Sequence, residues 1–143
     1  MSALPDREKL ISNFNRCLNQ EEKYLYIIEL GARLPLCPDS LYTLENIIPG
    51  CQSQVWITVN LDRNGLVIFK GDSDAALVRG LIAIVFSCYQ NMAPHILLEF
   101  DVCAWFSSLT LTIHLTPSRS QGLFSIIRFI QKKSLLLKKY GSN

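Results

Sequence analysis

The sequence predicts a mixed chain of helices with one small antiparallel sheet between them. Three observations carry that prediction. Apolar residues in the first and last thirds recur at helical spacing. The stretch from Gln54 to Lys70 reads as strand, Asp62-Arg63-Asn64-Gly65 turn, strand. The run from Ala75 to Phe86 is apolar on nearly all sides, as a central buried helix requires. With 143 residues, 49% of them hydrophobic, the chain has the size and apolar content of one domain with a real core. No linker, repeat or low-complexity tract interrupts it, so residues 1–143 are expected to form a single domain.

Pro5 and Asp6 open a helix whose apolar face is Leu10, Ile11, Phe14, Cys17 and Leu18. Asn19 caps a second helix, Gln20 to about Ala32, with Tyr24, Leu25, Ile27, Ile28 and Leu34 as its apolar set. Pro35 and Pro38 end it, giving a helical hairpin. A loop from Leu36 to Leu44 holds Cys37. Asn46-Ile47-Ile48 is expected as a short strand, followed by the Pro49-Gly50-Cys51 turn and the strands Gln54–Leu61 and Leu66–Lys70. Asp72 and Ser73 are expected to cap the central helix, Asp74 to about Tyr89. Pro94 starts a short helix through Glu99, and another holds Ala104, Trp105 and Phe106. Leu109 to Leu115 alternates like a strand, yet it lies between helical segments and fits a helix end equally well. Thr116 and Pro117 then begin a long helix with Leu123, Ile126, Ile127, Ile130 and Leu137 along one side.

Charged residues make up only 18% of the chain and the net charge is +2, which argues against disorder and against a polyanion-binding surface. Nucleic acid is therefore not an expected partner. Met1 to Lys9 mixes acids and bases without an apolar stretch, unlike a signal or transit peptide. Leu81–Phe86, the oiliest run, is far shorter than the ~20 residues of a membrane span. A cytoplasmic protein without membrane attachment is expected.

The five cysteines form an odd set with no C-x-x-C pair and no nearby histidine. That argues against a disulfide framework or a zinc knuckle and for free thiols. Cys17 and Cys88, placed on apolar helix faces, read as packing. Cys37, in a Pro-flanked loop, and Cys103, beside Trp105, are minor candidates for accessible thiols. Cys51 differs: Gly50 frees the backbone to present it, and Ile47, Ile48, Val55 and Trp56 are expected to form a dry pocket around it. Either it is reactive or it is a buried turn cysteine. His95 and His114 match no ligand spacing, so no metal site is expected. Lys132, Lys133, Lys138 and Lys139 suit a solvated face near a helix C-terminus. Arg119, in the first turn of the last helix, works against the helix dipole. It either bonds a loop carbonyl or carboxylate, or orients the cysteine loop or binds a partner's carboxylate.

Three separated motifs carry more information together. These are Gly50-Cys51-Gln52-Ser53-Gln54-Val55-Trp56, Lys70-Gly71-Asp72-Ser73-Asp74-Ala75-Ala76, and Leu115-Thr116-Pro117-Ser118-Arg119-Ser120-Gln121-Gly122-Leu123. With Leu4-Pro5-Asp6 and Glu21 to Gly31, they resemble the SufE family of sulfur acceptors, from about Leu4 to the last helix. The resemblance implies an α+β fold with a small antiparallel sheet of about three strands, shared with scaffold proteins of iron-sulfur assembly. It implies helical or irregular structure for Leu109 to Leu115. It also implies that Cys51 takes sulfur from the persulfide of a cysteine desulfurase, SufS, stimulates that enzyme, and passes the sulfur to a SufB-containing complex. The pyridoxal phosphate would belong to the desulfurase; the chain would need no cofactor and would not be an enzyme by itself. Gly50, Asp74 and Arg119 would shape the loop or dock the partner. The chemistry is that of thiol–disulfide exchange and needs one thiol; a second close thiol would release the sulfur prematurely.

Three other readings follow in order. An iron-sulfur or metal scaffold needs three or four converging ligands. A cysteine-based redox protein needs a low-pKa, exposed Cys51. An interaction domain would use Cys51 only structurally. A homodimer is compatible with each, and Tyr140 to Asn143 reads as an extension without assigned role.

Overall fold

The computed structural model describes residues 4–111 and 115–140. Helix α1 spans Arg7–Asn15, and Asp6 caps it by accepting from the Lys9 amide at 2.8 Å. Helix α2 spans Gln20–Ala32. Between them, Asn19 Oδ1 accepts from Glu22 N at 2.9 Å while Glu22 Oε1 accepts from Leu18 N at 2.8 Å. This reciprocal cap starts α2 so early that α1 cannot continue through Leu18. Cys17 and Leu18 therefore lie in the bend rather than on a helix face, and Leu18 is 85% exposed. In α2 the buried residues are Ile27, Leu30 and Gly31, whereas the expected core residues Tyr24 and Leu25 are exposed.

A 3-10 turn, Asp39–Leu41, interrupts the loop that holds Cys37. Strands β1 (Val55–Leu61) and β2 (Val67–Ser73) pair antiparallel from Val55↔Ser73 to Leu61↔Val67. The connecting turn needs Gly65 at φ +80°, and Asp62 Oδ1 accepts from the amides of Asn64 and Leu66. The expected third strand is one bridge long. Ile47 pairs with Trp56, Ile48 N donates to Val55 O at 2.8 Å, and Ile57 N donates to Asn46 O at 2.9 Å. Val55, Ile57 and Val59 alternate into the core as the pleat requires.

Because β2 pairs as far as Ser73, Asp72 and Ser73 are strand residues and not helix caps. Helix α3 begins later, at Ala76, and runs to Tyr89 with Ala75 at its N-cap and no side-chain capping bond. Asp72 instead accepts from Tyr42 Oη at 2.6 Å and lies 3.4 Å from Arg79 Nε. The α3 side chains from Leu81 to Tyr89 are all buried, Cys88 among them at 0% exposure, in agreement with a central helix and a packing role for that thiol. Helices α2 and α3 cross at glycines. A Cβ on Gly31 would stand 2.6 Å from Gly80 N, so neither backbone has room for a side chain there.

Helices α4 (Pro94–Glu99) and α5 (Val102–Ser107) follow, and α6 (Pro117–Tyr140) closes the chain with Leu123, Ile126, Ile127 and Ile130 buried. Leu109–Leu111 and Leu115 are irregular, with Thr110 at φ +51° and Lys23 Nζ donating to the Leu109 and Thr110 carbonyls at 3.5 and 3.4 Å. Thr112 to His114, and with them the assignment of His114, lie outside the described residues, as do Gly141 to Asn143. The helices and the two-stranded sheet give an α+β fold. Among the described residues no helix is long and apolar enough to cross a membrane.

Candidate functional site

Cys51 sits in the loop between Ile48 and Val55, whose main-chain hydrogen bond closes the loop's base. Gly50 adopts φ +86°, in the left-handed region that disfavours side chains, and its α-carbon faces α6: a Cβ there would lie 3.2 Å from Ser125 Oγ. That turn delivers Cys51, half-buried, against the second turn of α6, where its Sγ donates to the Gly122 carbonyl at 3.7 Å. Gly122 turns its side-chain-free face toward Cys51, where a Cβ would stand 3.5 Å from Sγ.

Beside Sγ lies a cavity of about 180 Å³. Leu77, Val78 and Leu81 of α3 form one wall and Leu123 and Ile126 of α6 the other, with Gln52, Ser53, Ser118 and Arg119 also lining it. The apolar walls thus come from two helices, not from Ile47, Ile48, Val55 and Trp56. Ile48 and Val55 point into the core, and Trp56 packs edge-on against Tyr42 with centroids 5.0 Å apart. Alternation in β1 sends Val55 to the core face and Trp56 to the opposite face, against Tyr42. Burial raises the Cys51 thiol above its ordinary pKa. A raised thiol supplies less thiolate for attack on peroxide and persulfide alike.

Gly50, Cys51 and Arg119 converge on the cavity, Gly50 by setting the turn and Arg119 by lining the space. The Arg119 amide donates to Thr116 Oγ1 at 3.4 Å, and its side chain is exposed. Asp74 acts at the other end of the loop: its Oδ1 accepts from Gln54 N at 3.1 Å and its amide donates to Gln54 O at 3.3 Å. It extends the sheet ladder by one pair and fixes where the cysteine loop ends, without lining the cavity.

None of the other cysteines lines this cavity. Cys17 is half-buried in the bend, donating to Asn13 O at 3.6 Å, with its thiol raised by burial and secondarily by Glu22. Cys37 is half-buried, donates to Gly71 O at 3.6 Å and is likewise raised by burial; Cys103 is exposed on α5. Among the described residues no group of three or more histidine, cysteine, aspartate and glutamate side chains is arranged to hold a metal ion.

Sequence reasoning missed the cavity walls and the contact with Gly122. A glycine inside an otherwise helical pattern was the available signal, since such a residue often marks a close approach.

A solution structure of a hypothetical protein from Thermus thermophilus shares this fold, with a TM-score of 0.77 over 95% of this chain and 98% of its own, at 17% sequence identity. The sequence profile of the SufE family, described as an Fe-S metabolism associated domain, matches residues 8–134 and so takes in the cysteine loop, both walls of the cavity and Arg119. The chain belongs to the SufE family, and its role lies in iron-sulfur metabolism.

Proposed function

We propose that this chain is a sulfur acceptor and carrier, with Cys51 as the covalent site. The observation that carries the reading is a single half-buried thiol at the edge of an apolar cavity, with no second thiol lining it. The donor is the persulfide of a cysteine desulfurase of the SufS type, which holds the pyridoxal phosphate, and the recipient is a SufB-containing assembly complex. Both encounters take place in the cytoplasm. The Cys51 thiolate attacks the outer sulfur of the donor's S–S bond. A new Sγ–S bond forms, the donor's S–S bond breaks, and the electron pair leaves on the donor's own sulfur. The proton lost by Cys51 balances the one the departing thiolate takes up, so no external oxidant or reductant is consumed. Clearing the persulfide frees the desulfurase for its next turnover.

Burial raises the Cys51 thiol, so a smaller fraction of it is thiolate at neutral pH than in a free cysteine. Apolar walls shield an adduct from water and small thiols. Arg119, exposed beside the cavity, meets the partner or the negative charge of the transferred sulfur, while Gly50 and Asp74 hold the loop in shape. The test is peptide mass spectrometry after incubation with a cysteine desulfurase and cysteine. A gain of sulfur on the Cys51 peptide, with desulfurase turnover raised by wild type and not by Cys51→Ser, supports the carrier role. Equal stimulation by Cys51→Ser overturns it.

A further inference from the structure

Gly122 is buried, and its missing side chain faces Cys51. A Cβ at this position would lie 3.5 Å from Cys51 Sγ and 3.9 Å from Cys51 Cβ, which is ordinary van der Waals contact. An alanine therefore fits beside the resting thiol. Alanine is also the stronger helix former, so neither packing nor propensity calls for glycine at this point in α6. The need for it arises only when Sγ carries something more. A second sulfur is bonded about 2 Å from the first. Wherever it points toward α6, it enters the space that the methyl of an alanine would fill. The Gly122 carbonyl already takes the thiol hydrogen at 3.7 Å, which places this stretch of backbone beside the reacting atom.

Resting on the reading that Cys51 carries sulfur, we infer that Gly122 is a positioning residue that keeps room for the transferred sulfur, so that the persulfide seats in the cavity between α3 and α6. Its role is steric and specific to the loaded state.

The experiment compares wild type, Gly122→Ala and, as a control on the exposed side of the same turn, Gln121→Ala. Each is treated with sodium polysulfide and read by intact and peptide mass spectrometry. In the loading step the Cys51 thiolate attacks a polysulfide sulfur, an S–S bond of the polysulfide breaks, and the electron pair leaves on the shortened polysulfide. The expected result is at least fivefold less sulfur on Cys51 in Gly122→Ala than in the other two proteins. The thermal midpoint of Gly122→Ala should be no lower than that of wild type, and the thiolate absorbance titration should stay the same for all three. In denaturant, where the cavity is gone, all three should load alike. Equal loading of folded Gly122→Ala and wild type overturns the role of Gly122 and leaves Cys51 as the carrier. A deficit that persists in denaturant also overturns it. Absence of sulfur on Cys51 of folded wild type, with loading in denaturant, overturns the carrier reading and this inference with it.

Discussion

Cys51 and Cys88 are both raised by burial, but the two thiols face different surroundings. Cys88 is packed on every side within α3; burial pushes its thiol up to about 12, with nearby Arg7 a smaller opposing influence. Cys51 is only half-buried, its loop is clamped at both ends, and open space lies next to its sulfur. The difference teaches that burial alone does not separate a structural thiol from a chemical one. What sets Cys51 apart is free volume at Sγ, together with a backbone turn that glycine adopts without strain.

The sharpest way to break the comparison is to exchange each thiol for a hydroxyl. Cys51→Ser should lower sulfur uptake from a desulfurase by more than about a hundredfold, because the nucleophile is gone, while the thermal midpoint hardly moves. Cys88→Ser should leave uptake intact and lower unfolding free energy in a urea titration by about 1–3 kcal/mol, the cost of a buried hydroxyl without a partner. A reversed pattern would make Cys88 the chemical site.

Alkaline pH sharpens the same contrast. An unfolded thiol loses its proton near 8.5, whereas folded Cys88 holds it to about 12. The unfolded chain therefore ionises first. The contribution of Cys88 to stability is complete below the unfolded value and declines as pH rises toward the folded one, by about 1.4 kcal/mol per unit at most. Cys88→Ala should flatten the decline of unfolding free energy in that window. Cys51→Ala should flatten it much less.

Smaller effects are expected at the loop. Gly50→Ala forces a side chain into the left-handed region at φ +86° and toward Ser125; a cost of about 1–2 kcal/mol is expected, together with slower sulfur uptake by the displaced Cys51. Asp74→Asn keeps the shape of the side chain but weakens the bond to Gln54 N. The expected loss is about 1 kcal/mol or less, visible as faster amide exchange at Gln54. No change at Gln54 would show that the sheet alone ends the loop.

Helix placement was largely legible in the sequence. The Asn19 cap, Pro94 and Pro117 each sit where the expected helices begin. What went unread depends on partners distant along the chain. Cys17 and Leu18 keep helical spacing, but the Asn19–Glu22 cap starts the next helix before the first can reach them. Asp72 and Ser73 look like caps until the register with Trp56 and Val55 carries them into β2. Cys51 stood out because a glycine turn is a local signal. The walls of its cavity did not, because periodicity tells which residues of α3 and α6 are apolar and not which loop they meet.

The short main-chain bond between Ile48 and Val55 limits how far the cysteine can travel. Cys51 is three residues beyond Ile48, and an extended chain advances about 3.5 Å per residue. Swung fully outward, its α-carbon stays within roughly 10 Å of the sheet corner unless that bond breaks. On the carrier reading proposed above, a donor would have to bring its sulfur to this corner, on a projecting segment of its own if its active site is deep. The division of movement between giver and taker is already written into the length of the leash.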